Sequence, residues 1–453
     1  MDQAIASRTI KKVAIRIVPF MFIAYLVSFL DRVSITYASL GGMDKALQLT
    51  SSTFGLLAGL FFITYFLSEI PSNIFFNRFG ARKWIARILI SWGIVTFVTA
   101  WVNSAGSLAV CRLLLGMAEA GFFPGMILYI CYWFPNKQRA KYIALFMTAP
   151  AIANAIGAPA ATWIVQHDWM GFAGWRWVFI LAGIPAIVLG ILTFFYLPDG
   201  PRQAKFLSTD EKTWLTSQLQ KEQDEKLILH PVAAHKGRVP VKGAFKNKLI
   251  WQFAIANLVW SSGLYGITFW MPRIMKTLSS VLTPTQIGWV TAVPFLFGAV
   301  VMTLIARSSD RSGERRLHAA LPQLLGAFAL IGAVLSPSPL LAIGMMCIAT
   351  GCLYSWSGPY WAMASSMITA EIAVVGTGII NCFGSLGGFV GPYAIGIIKD
   401  TTGTLMSSVV FLAVCLALAS IIIFWVSSHN KTGQDSNKTS RDSNKNARIS
   451  ATS

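Results

Sequence analysis

Ionisable side chains within apolar stretches are the first feature of this sequence that could do chemistry. A long apolar stretch near the N-terminus contains Asp31 directly followed by Arg32, and a later apolar stretch contains Arg112 and Glu119. Charged side chains are costly in hydrocarbon, so those retained there face the protein interior and commonly bind ions or carry protons. The two pairs therefore predict one functional site in the middle of a membrane.

The chemistry of each side chain suggests a division of labour. Arginine keeps its charge and can donate two parallel hydrogen bonds to a carboxylate, so Arg32 is the expected anchor for an anionic substrate. Buried acids in membrane proteins form proton relays, so Asp31 and Glu119 are the expected proton-coupling residues. Arg112 is expected to take part in this coupling by changing its partner as the protein changes conformation.

Helix geometry limits which of these residues can meet. Arg112 and Glu119 are two turns apart, about 10.5 Å along one helix face, so something must lie between them. Asp31 and Arg32 are about 100° apart around their helix, so one is expected to face the fourth span and the other a central cavity. The alternative is that these residues are only buried ion pairs that hold helices together.

Other polar residues in apolar stretches are weaker candidates. Glu69, just before Pro71, is expected to pair with the basic loop that follows its helix. Tyr65, one turn earlier, could donate a hydrogen bond to a carboxylate. Asn381 lies in a glycine-rich stretch, where an amide either contributes to a site or joins two helices.

A dense aromatic segment, Y354-S-W-S-G-P-Y-W361, interrupts another apolar stretch with a proline. Such a break is typical of a helix that lines a cavity. Trp356, Tyr360 and Trp361 are therefore expected to stack on the ring or sugar face of a substrate. Aromatic residues also form belts at the membrane surface, but this cluster lies too deep in its stretch for that role.

The apolar stretches that carry these residues define the architecture. Of the 453 residues, 55% are hydrophobic and only 12% are charged, against about 25% charged in soluble domains. A membrane-spanning helix needs about 20 apolar residues, and such stretches recur along the chain. The sequence therefore predicts an all-α membrane protein with twelve transmembrane helices. The predicted spans are 17–38, 53–76, 84–102, 107–132, 140–165, 176–197, 249–272, 284–306, 317–335, 340–363, 374–398 and 405–427.

The twelve spans divide into two six-helix halves. Residues 1–197 form the predicted N-terminal half, 198–248 a cytoplasmic linker with a helix starting near 208–211, 249–428 the C-terminal half, and 429–453 a disordered tail. A short basic turn with a glycine follows the second span of each half. This internal repeat is typical of transporters whose site lies between two duplicated halves.

The positive charge is a signal of orientation. The net charge is +19, but 30 of the 37 Lys and Arg residues lie on one side of the predicted spans. The positive-inside rule predicts that both termini are cytoplasmic, and the excess also attracts anionic lipid. Nucleic-acid binding is not expected. Neither the six cysteines nor the five histidines have the spacing of a disulfide framework or a metal site, so no cofactor is expected.

A set of motifs gives residues 10–428 a resemblance to a known family. The motifs are Y25-L-V-S-F-L-D-R-V-S-I, E69-I-P-S-N, R78-F-G-A-R-K-W84, R112-L-L-L-G-M-A-E-A-G-F-F-P-G125, W133-F-P, G174-W-R-W-V-F, A204-K-F-L-S-T-D-E-K212, F269-W-M-P-R-I274 and D310-R-S-G-E-R-R. Together they resemble the anion:cation symporter family of the major facilitator superfamily, and most of all the bacterial permeases for phthalate, tartrate, 4-hydroxyphenylacetate and sugar acids such as rhamnonate.

The resemblance implies proton-driven uptake of a small organic anion by alternating access in the cell inner membrane. We expect the protein to be a monomer. It implies protonation at Asp31, binding of the substrate carboxylate at Arg32, and coupling through Arg112 and Glu119. It also implies a substrate site lined by three further residues: Tyr65, Trp361 and Asn381.

The gates and the alternatives also follow from the family pattern. Asn77 stands where the first basic turn of the family usually has Asp, so the gate is expected to rest on the second turn. The span-five segment G157-A-P-A-A differs from the glycine-doubled pattern of antiporters, which disfavours an anion exchanger as the alternative. A non-transporting sensor or a membrane enzyme is less expected still, because no nucleophile–base pair is evident. The expected gating residues are Glu69, Arg78, Asp310 and Arg311.

Overall fold

The protein is described by a computed structural model over residues 2–229, 241–278, 282–368 and 370–428, and these residues contain helices but no sheet. The helices are α1 Asp2–Ala38, α2 Asp44–Ala46, α3 Ser51–Phe79, α4 Ala81–Thr99, α5 Ala105–Glu119, α6 Phe122–Trp133, α7 Asn136–Met147, α8 Ala149–Ile164, α9 Gly174–Tyr196, α10 Thr209–Leu229, α11 Val241–Lys246, α12 Lys248–Leu278, α13 Pro284–Ser312, α14 Arg316–Leu335, α15 Pro339–Tyr354, α16 Ser357–Met367, α17 Ala370–Thr402 and α18 Leu405–Ser428.

Each predicted span coincides with a long helix or with two consecutive helices. Within the described residues, ten of these segments are long and apolar enough to cross a membrane. The two others are α4 and α12, which match the predicted spans 84–102 and 249–272 but carry more polar residues. The predicted disordered tail, 429–453, lies outside the described residues.

Three spans are split into two helices. The fourth span breaks between α5 and α6, the fifth between α7 and α8, and the tenth between α15 and α16, where the aromatic segment predicted a break. The first of these breaks depends on Gly121, whose φ of +83° is left-handed and whose missing Cβ leaves room for Ser72. The break follows directly after Glu119 and therefore ends α5 at a carboxylate.

The helix α10 defines the two sides of the molecule. It packs against the beginning of α1, so the ends of helices on this side are here called the linker side and the opposite ends the far side. Because consecutive spans alternate in direction, α3 begins on the far side at Ser51 and α17 ends there at Thr402.

The two halves are closed against each other on the far side. Glycines allow this close approach: Gly55 of α3 packs on the backbone of Pro392 in α17, and Gly59 packs on Phe389. On the other flank, Gly288 of α13 meets the backbone of α8. Absent side chains at these positions let helix backbones touch, as in other membrane helix pairs.

The linker helix α10 is fastened to the first half at two points. The covered carboxylate of Glu211 accepts hydrogen bonds from Arg8 Nε at 2.8 Å and from Lys12 Nζ at 3.0 Å. Burial alone would raise the pKa of Glu211, but Lys12, the Ser208 N–H and Arg8 outweigh it and lower the pKa to about 2. One carboxylate oxygen of Glu222 accepts the backbone N–H of Asn136 at 3.0 Å, at the start of α7.

Candidate functional site

A buried ion pair joins the first and fourth spans. Nη2 of Arg32 donates to Oε1 of Glu119 at 2.5 Å, and Ser28 Oγ donates to the same oxygen at 2.7 Å. Both charged groups are buried, Glu119 completely. We call Arg32 and Glu119 the central pair. The predicted anion anchor is therefore held by a carboxylate of its own half in this conformation.

Local helix geometry explains how the central pair forms. Ser28 and Arg32 are four residues apart, so they lie on the same face of α1 and can reach one acceptor. Gly116, one turn before Glu119, lets α5 lie directly against the backbone of Phe61 in α3. The close packing brings the end of α5 into reach of α1.

The Arg32 guanidinium also reaches the second half of the molecule. Its Nη1 donates to the hydroxyl of Tyr265 in α12 at 3.4 Å. Its carbon lies 4.9 Å from the ring centre of Phe61 and 5.5 Å from that of Tyr65. These distances allow cation–π attraction. The predicted site residue Tyr65 thus contacts the cation through its ring face.

Tyr265 was missed by the sequence analysis. It is partly buried and its ring centre lies 4.3 Å from that of Phe62, a residue of the other half. A signal was available, because Tyr265 lies at a similar depth in the first span of its half as Arg32 does in its own. The internal repeat would have placed the two side chains opposite each other.

Asp31 faces the third span. Both of its carboxylate oxygens accept from Thr96 Oγ1, at 2.7 and 2.8 Å, and the side chain is completely buried. We expected one of Asp31 and Arg32 to face the fourth span and the other a cavity. Instead Arg32 contacts both the fourth span and the opposite half, while Asp31 turns away. Among the described residues, no lysine or arginine forms an ion pair with Asp31.

Arg112 is attached to the second span. Its Nε donates to the carbonyl of Leu57 at 3.2 Å and its Nη2 to that of Ala58 at 3.1 Å. It makes no ion pair with Glu119, as the two-turn spacing predicted, and Glu119 is paired with Arg32 instead. The change of partner expected of Arg112 stays a prediction.

Glu69 and Asn381 bridge the two halves. The amide Nδ2 of Asn381 in α17 donates to both carboxylate oxygens of Glu69 in α3, at 2.8 and 3.0 Å. Glu69 was expected to pair with the basic loop after its helix, and that prediction is wrong for this conformation. The contact between halves fits the gating role that was also predicted for it.

Two of the three predicted aromatic site residues lie inside the second half. Trp356 and Tyr360 are fully buried and form a stack with Trp260 of α12, with ring centres 5.7 Å apart for the two tryptophans and 4.7 Å for Trp356 and Tyr360. The Tyr360 hydroxyl donates to Phe253 O at 2.7 Å. A substrate cannot reach these rings here, because the stack packs the broken span onto α12. Trp361 is partly exposed.

The predicted gating residues of the basic turns have local partners. Asp310 pairs with Arg315 of its own turn at 2.5 Å, and the Arg78 guanidinium lies over the ring of its neighbour Phe79. Arg311 is exposed. In the first turn, Asp199 accepts the backbone N–H of Arg82 at 3.0 Å and so caps α4 from the linker, a contact that sequence reasoning missed.

The described residues contain no group of three His, Cys, Asp or Glu side chains that could hold a metal ion. The ionisable cluster around the central pair consists of two arginines and two carboxylates. It lies where spans one and four of the first half meet the first span of the second half.

Comparisons with known proteins agree with this arrangement. The profile described as Major Facilitator Superfamily matches residues 21–392 and, in a second match, 274–451. A protein of Agrobacterium vitis named "Putative tartrate transporter" is 39% identical over 431 residues, covering 94% of this chain and 96% of its own length. A "Quinolone resistance transporter" of Acinetobacter baumannii is 34% identical, covering 92% of this chain and 94% of its own.

A solved structure shows the same fold. The crystal structure of a bacterial homolog of the human lysosomal transporter Spinster, in an inward-facing and occupied conformation, superimposes with a TM-score of 0.72. The two chains are 17% identical, and the match covers 91% of this chain and 96% of that one. At this identity the likeness concerns the fold alone.

Proposed function

The chain belongs to the Major Facilitator Superfamily, and on that premise we propose that it is a proton-coupled symporter that imports a small organic carboxylate. The family and its relatives establish a multi-pass membrane transporter rather than an enzyme. The observation that carries the proposal is the central pair, a buried guanidinium held by a buried carboxylate and touched by a tyrosine of the opposite half.

Exchange of the Glu119 carboxylate for the substrate carboxylate on Arg32 would couple proton binding to substrate binding. When Glu119 takes up a proton, its attraction for Arg32 falls, and the guanidinium can bind the carboxylate of a substrate in its place. A buried guanidinium left without any carboxylate costs roughly 3–5 kcal/mol. The protonated, empty site is therefore disfavoured, and so is a site with two ionised carboxylates.

Two atoms of the central pair have unused hydrogen-bonding capacity. Nε of Arg32 and Oε2 of Glu119 are buried and have no hydrogen-bond partner among the described residues. Nε and a neighbouring Nη form one edge of a guanidinium, and this edge can donate two parallel hydrogen bonds to a carboxylate. Under this mechanism the empty site and the loaded, protonated site both have no net charge, so both can cross between the two conformations.

Asp31 is proposed as a further proton site and Arg112 as the residue that links it to the pair. Asp31 is held by one hydroxyl, that of Thr96, and a completely buried carboxylate with such limited support suits a group that is protonated for part of the cycle. Arg112 fixes α5 to α3, so a movement of α3 would shift its charge relative to Asp31.

Contacts across the two halves would sense the bound substrate. Arg32 belongs to the first half and Tyr265 to the second, so a ligand on Arg32 also meets the opposite wall. Tyr65, Trp361 and Asn381 are proposed to line the site around it. The name of the Agrobacterium relative supports a carboxylate as substrate, and we propose an aromatic or polyhydroxylated acid, imported across an inner membrane with the linker side in the cytoplasm.

Transport into liposomes tests the proposal. The purified protein is reconstituted and a proton gradient directed inward is applied. Accumulation of radiolabelled phthalate, tartrate, 4-hydroxyphenylacetate, rhamnonate and a quinolone is measured, and an internal pH dye reports the accompanying proton influx. Uphill accumulation of one carboxylate, with proton influx, is the expected result. If Asp31→Asn and Glu119→Gln both leave uphill accumulation intact, the proton-coupling assignment is wrong.

The same liposomes separate symport from exchange. A symporter accumulates substrate in vesicles that contain none at the start. An anion exchanger requires internal counter-substrate and speeds up with it even when no proton gradient is present. Uptake that depends only on counter-substrate would replace the symporter by the exchanger.

A further inference from the structure

A second guanidinium–carboxylate pair lies at the far-side mouth, remote from the central pair. Nη2 of Arg273 in α12 contacts Oδ2 of Asp44 and Oγ of Ser39, both in the connection between α1 and α3. Asp44 and Ser39 belong to the first half and Arg273 to the second. Nothing in the central mechanism uses this pair.

The guanidinium of Arg273 lies against two aromatic rings. Its carbon is 3.9 Å from the ring centre of Phe54 and 4.7 Å from that of Trp270, and only 12% of its side chain is exposed. Trp270 belongs to the same helix as Arg273, whereas Phe54 belongs to the opposite half. Cation–π contacts of this kind hold a guanidinium in place without neutralising it.

The chain turns sharply to bring Asp44 to this position. Residues 39–43 form a short irregular helix in which Gly42 has a φ of +100°, a conformation that suits glycine. Ser39 Oγ also donates to Oδ2 of Asp44 at 2.9 Å, while Oδ1 has no hydrogen-bond partner in the described structure. The carboxylate is therefore presented to Arg273 through one oxygen.

We propose that Arg273 is a second carboxylate-binding site, which binds the substrate at the far-side mouth before it reaches the central pair. Opening of the far side must separate Arg273 from Asp44 and Phe54, because they belong to different halves. Arg273 then remains on Trp270 with no carboxylate, and the substrate carboxylate takes the position that Asp44 occupies in the closed state. This inference rests on the proposed transport of carboxylates.

The neighbouring charges favour an anion at this mouth. Lys399 of α17 lies with Nζ 5.8 Å from the ring centre of Trp270, on the same half as Arg273. The adjacent Asp400 accepts the backbone N–H groups of Ser51 and Ser52 at the start of α3, at 3.1 and 2.7 Å. When the halves separate, the group around Trp270 carries two cations, Arg273 and Lys399, and one anion, Asp400, so its net charge attracts carboxylates.

A capture site and a simple latch predict different kinetics. In a latch, Arg273 and Asp44 act only through their mutual attraction, so removing either one has the same effect. In a capture site, Asp44 competes with the substrate for Arg273. Removal of Asp44 then lowers or preserves the KM for substrate on the far side, whereas removal of Arg273 raises it.

The test uses liposomes in which all transporters have the same orientation. The KM for substrate is measured from each side for the wild type and for Arg273→Gln, Arg273→Lys and Asp44→Asn. Lys276→Gln, an exposed change one turn further along α12, is the matched control. We expect Arg273→Gln to raise the KM from the far side about tenfold, the loss typical of a hydrogen bond to a charged group. The KM from the linker side should not change, and Asp44→Asn should not raise either value.

Each outcome decides between the roles. Equal rises in KM for Arg273→Gln and Asp44→Asn, or equal changes from both sides, would overturn the capture site in favour of a latch. Should Arg273→Gln fail to fold, Arg273→Lys replaces it in the test. This variant keeps the positive charge but loses the two parallel donors of the guanidinium. A far-side KM equal to that of the wild type would then overturn the proposal. A wild type that moves no carboxylate overturns the proposed function and this inference together, whereas wild-type transport with unaffected variants overturns this inference alone.

Discussion

The two halves share a helix order but differ in chemistry at corresponding positions. The fourth span of each half is broken, after Glu119 in the first half and at Ser355–Trp356 in the second. In the first half the break carries a carboxylate paired with Arg32, and in the second it carries a stack of aromatic rings against Trp260. The same architectural element therefore supports an ionisable site in one half and an uncharged, packed core in the other.

This difference has a mechanical consequence. Buried charges must keep a partner at every stage, so the contacts at the break of the first half have to be exchanged during transport, whereas the break of the second half has no charge to exchange. The aromatic stack is held by burial and by hydrogen bonds from Trp260 Nε1 to Leu353 O and from Tyr360 to Phe253 O. We infer that the broken span of the second half moves as a rigid unit with α12.

Glu119→Gln is expected to have the largest effect on this contrast. Glutamine resembles the protonated acid, so the loaded site still forms, but an empty site leaves Arg32 unpaired at a cost of roughly 3–5 kcal/mol. Uphill accumulation should fall at least about a hundredfold, while exchange of labelled for unlabelled substrate continues. Both are measured in liposomes, with the exposed Glu225→Gln as the control. Loss of exchange as well would show that Glu119 also binds the substrate directly.

Trp356→Ala tests whether the aromatic stack is structural. Removing a fully buried tryptophan typically costs about 3–5 kcal/mol of stability, so we expect a lower melting temperature and less folded protein. The KM of the remaining transporter should stay near the wild-type value. Trp361→Ala is the informative partner, because its ring is partly exposed and its loss should raise the KM. A selective rise in KM for aromatic acids in Trp356→Phe would instead place Trp356 in the substrate site.

The positions of these residues were predictable to different degrees. The helical spans and the four central charges follow from hydropathy and from the cost of burying a charge, which act along the chain itself. The partners of these charges do not follow from the sequence, because neighbouring residues of a helix point in directions about 100° apart. Thus Asp31 turned to Thr96, and Glu69 found Asn381 more than three hundred residues away.

The aromatic segment shows a different limit. A proline-interrupted run of tryptophan and tyrosine has the same sequence whether it lines a cavity or fills a core. Trp356 stacks on Trp260 of α12 and on Tyr360, and this stack buries Trp356 and Tyr360 in the core. Only Trp361, at the end of the run, kept the exposure that the pattern predicted for all three.

Tyr265→Phe probes the hydrogen bond between Arg32 and the second half. Its hydroxyl lies 3.4 Å from Nη1 of Arg32, at the long end for a hydrogen bond, so its net contribution is about 1 kcal/mol. We expect a change in substrate KM of roughly fivefold with little change in stability. Tyr37→Phe, a buried tyrosine of α1, is the control. An unchanged KM for Tyr265→Phe would mean that this hydroxyl contributes nothing to substrate binding.

The smallest expected effect concerns the linker helix α10, which is attached to the first half through Glu211 and Glu222. The lowered pKa of Glu211 means that its contribution to stability is complete above the ordinary value of 4.5 and is lost as the pH falls towards about 2. Between pH 5 and 8 this contact should therefore add no pH dependence to transport. Glu211→Gln should destabilise the docked helix by less than about 1 kcal/mol, because Arg8 and Lys12 are half exposed and water screens them.

Protease digestion of the linker and transport assays at pH 5 and 8 check this prediction, with Glu222→Gln at the other attachment point as the matched variant. Faster cleavage with an unchanged pH profile is expected for both variants. If Glu211→Gln shifted the pH profile, proton sensing would extend beyond the buried site, since Glu211 binds α1 at Arg8 and Lys12, on the helix that carries Asp31 and Arg32. In that case α10 would take part in proton sensing, and the ionisable site would not be the sole origin of the pH dependence.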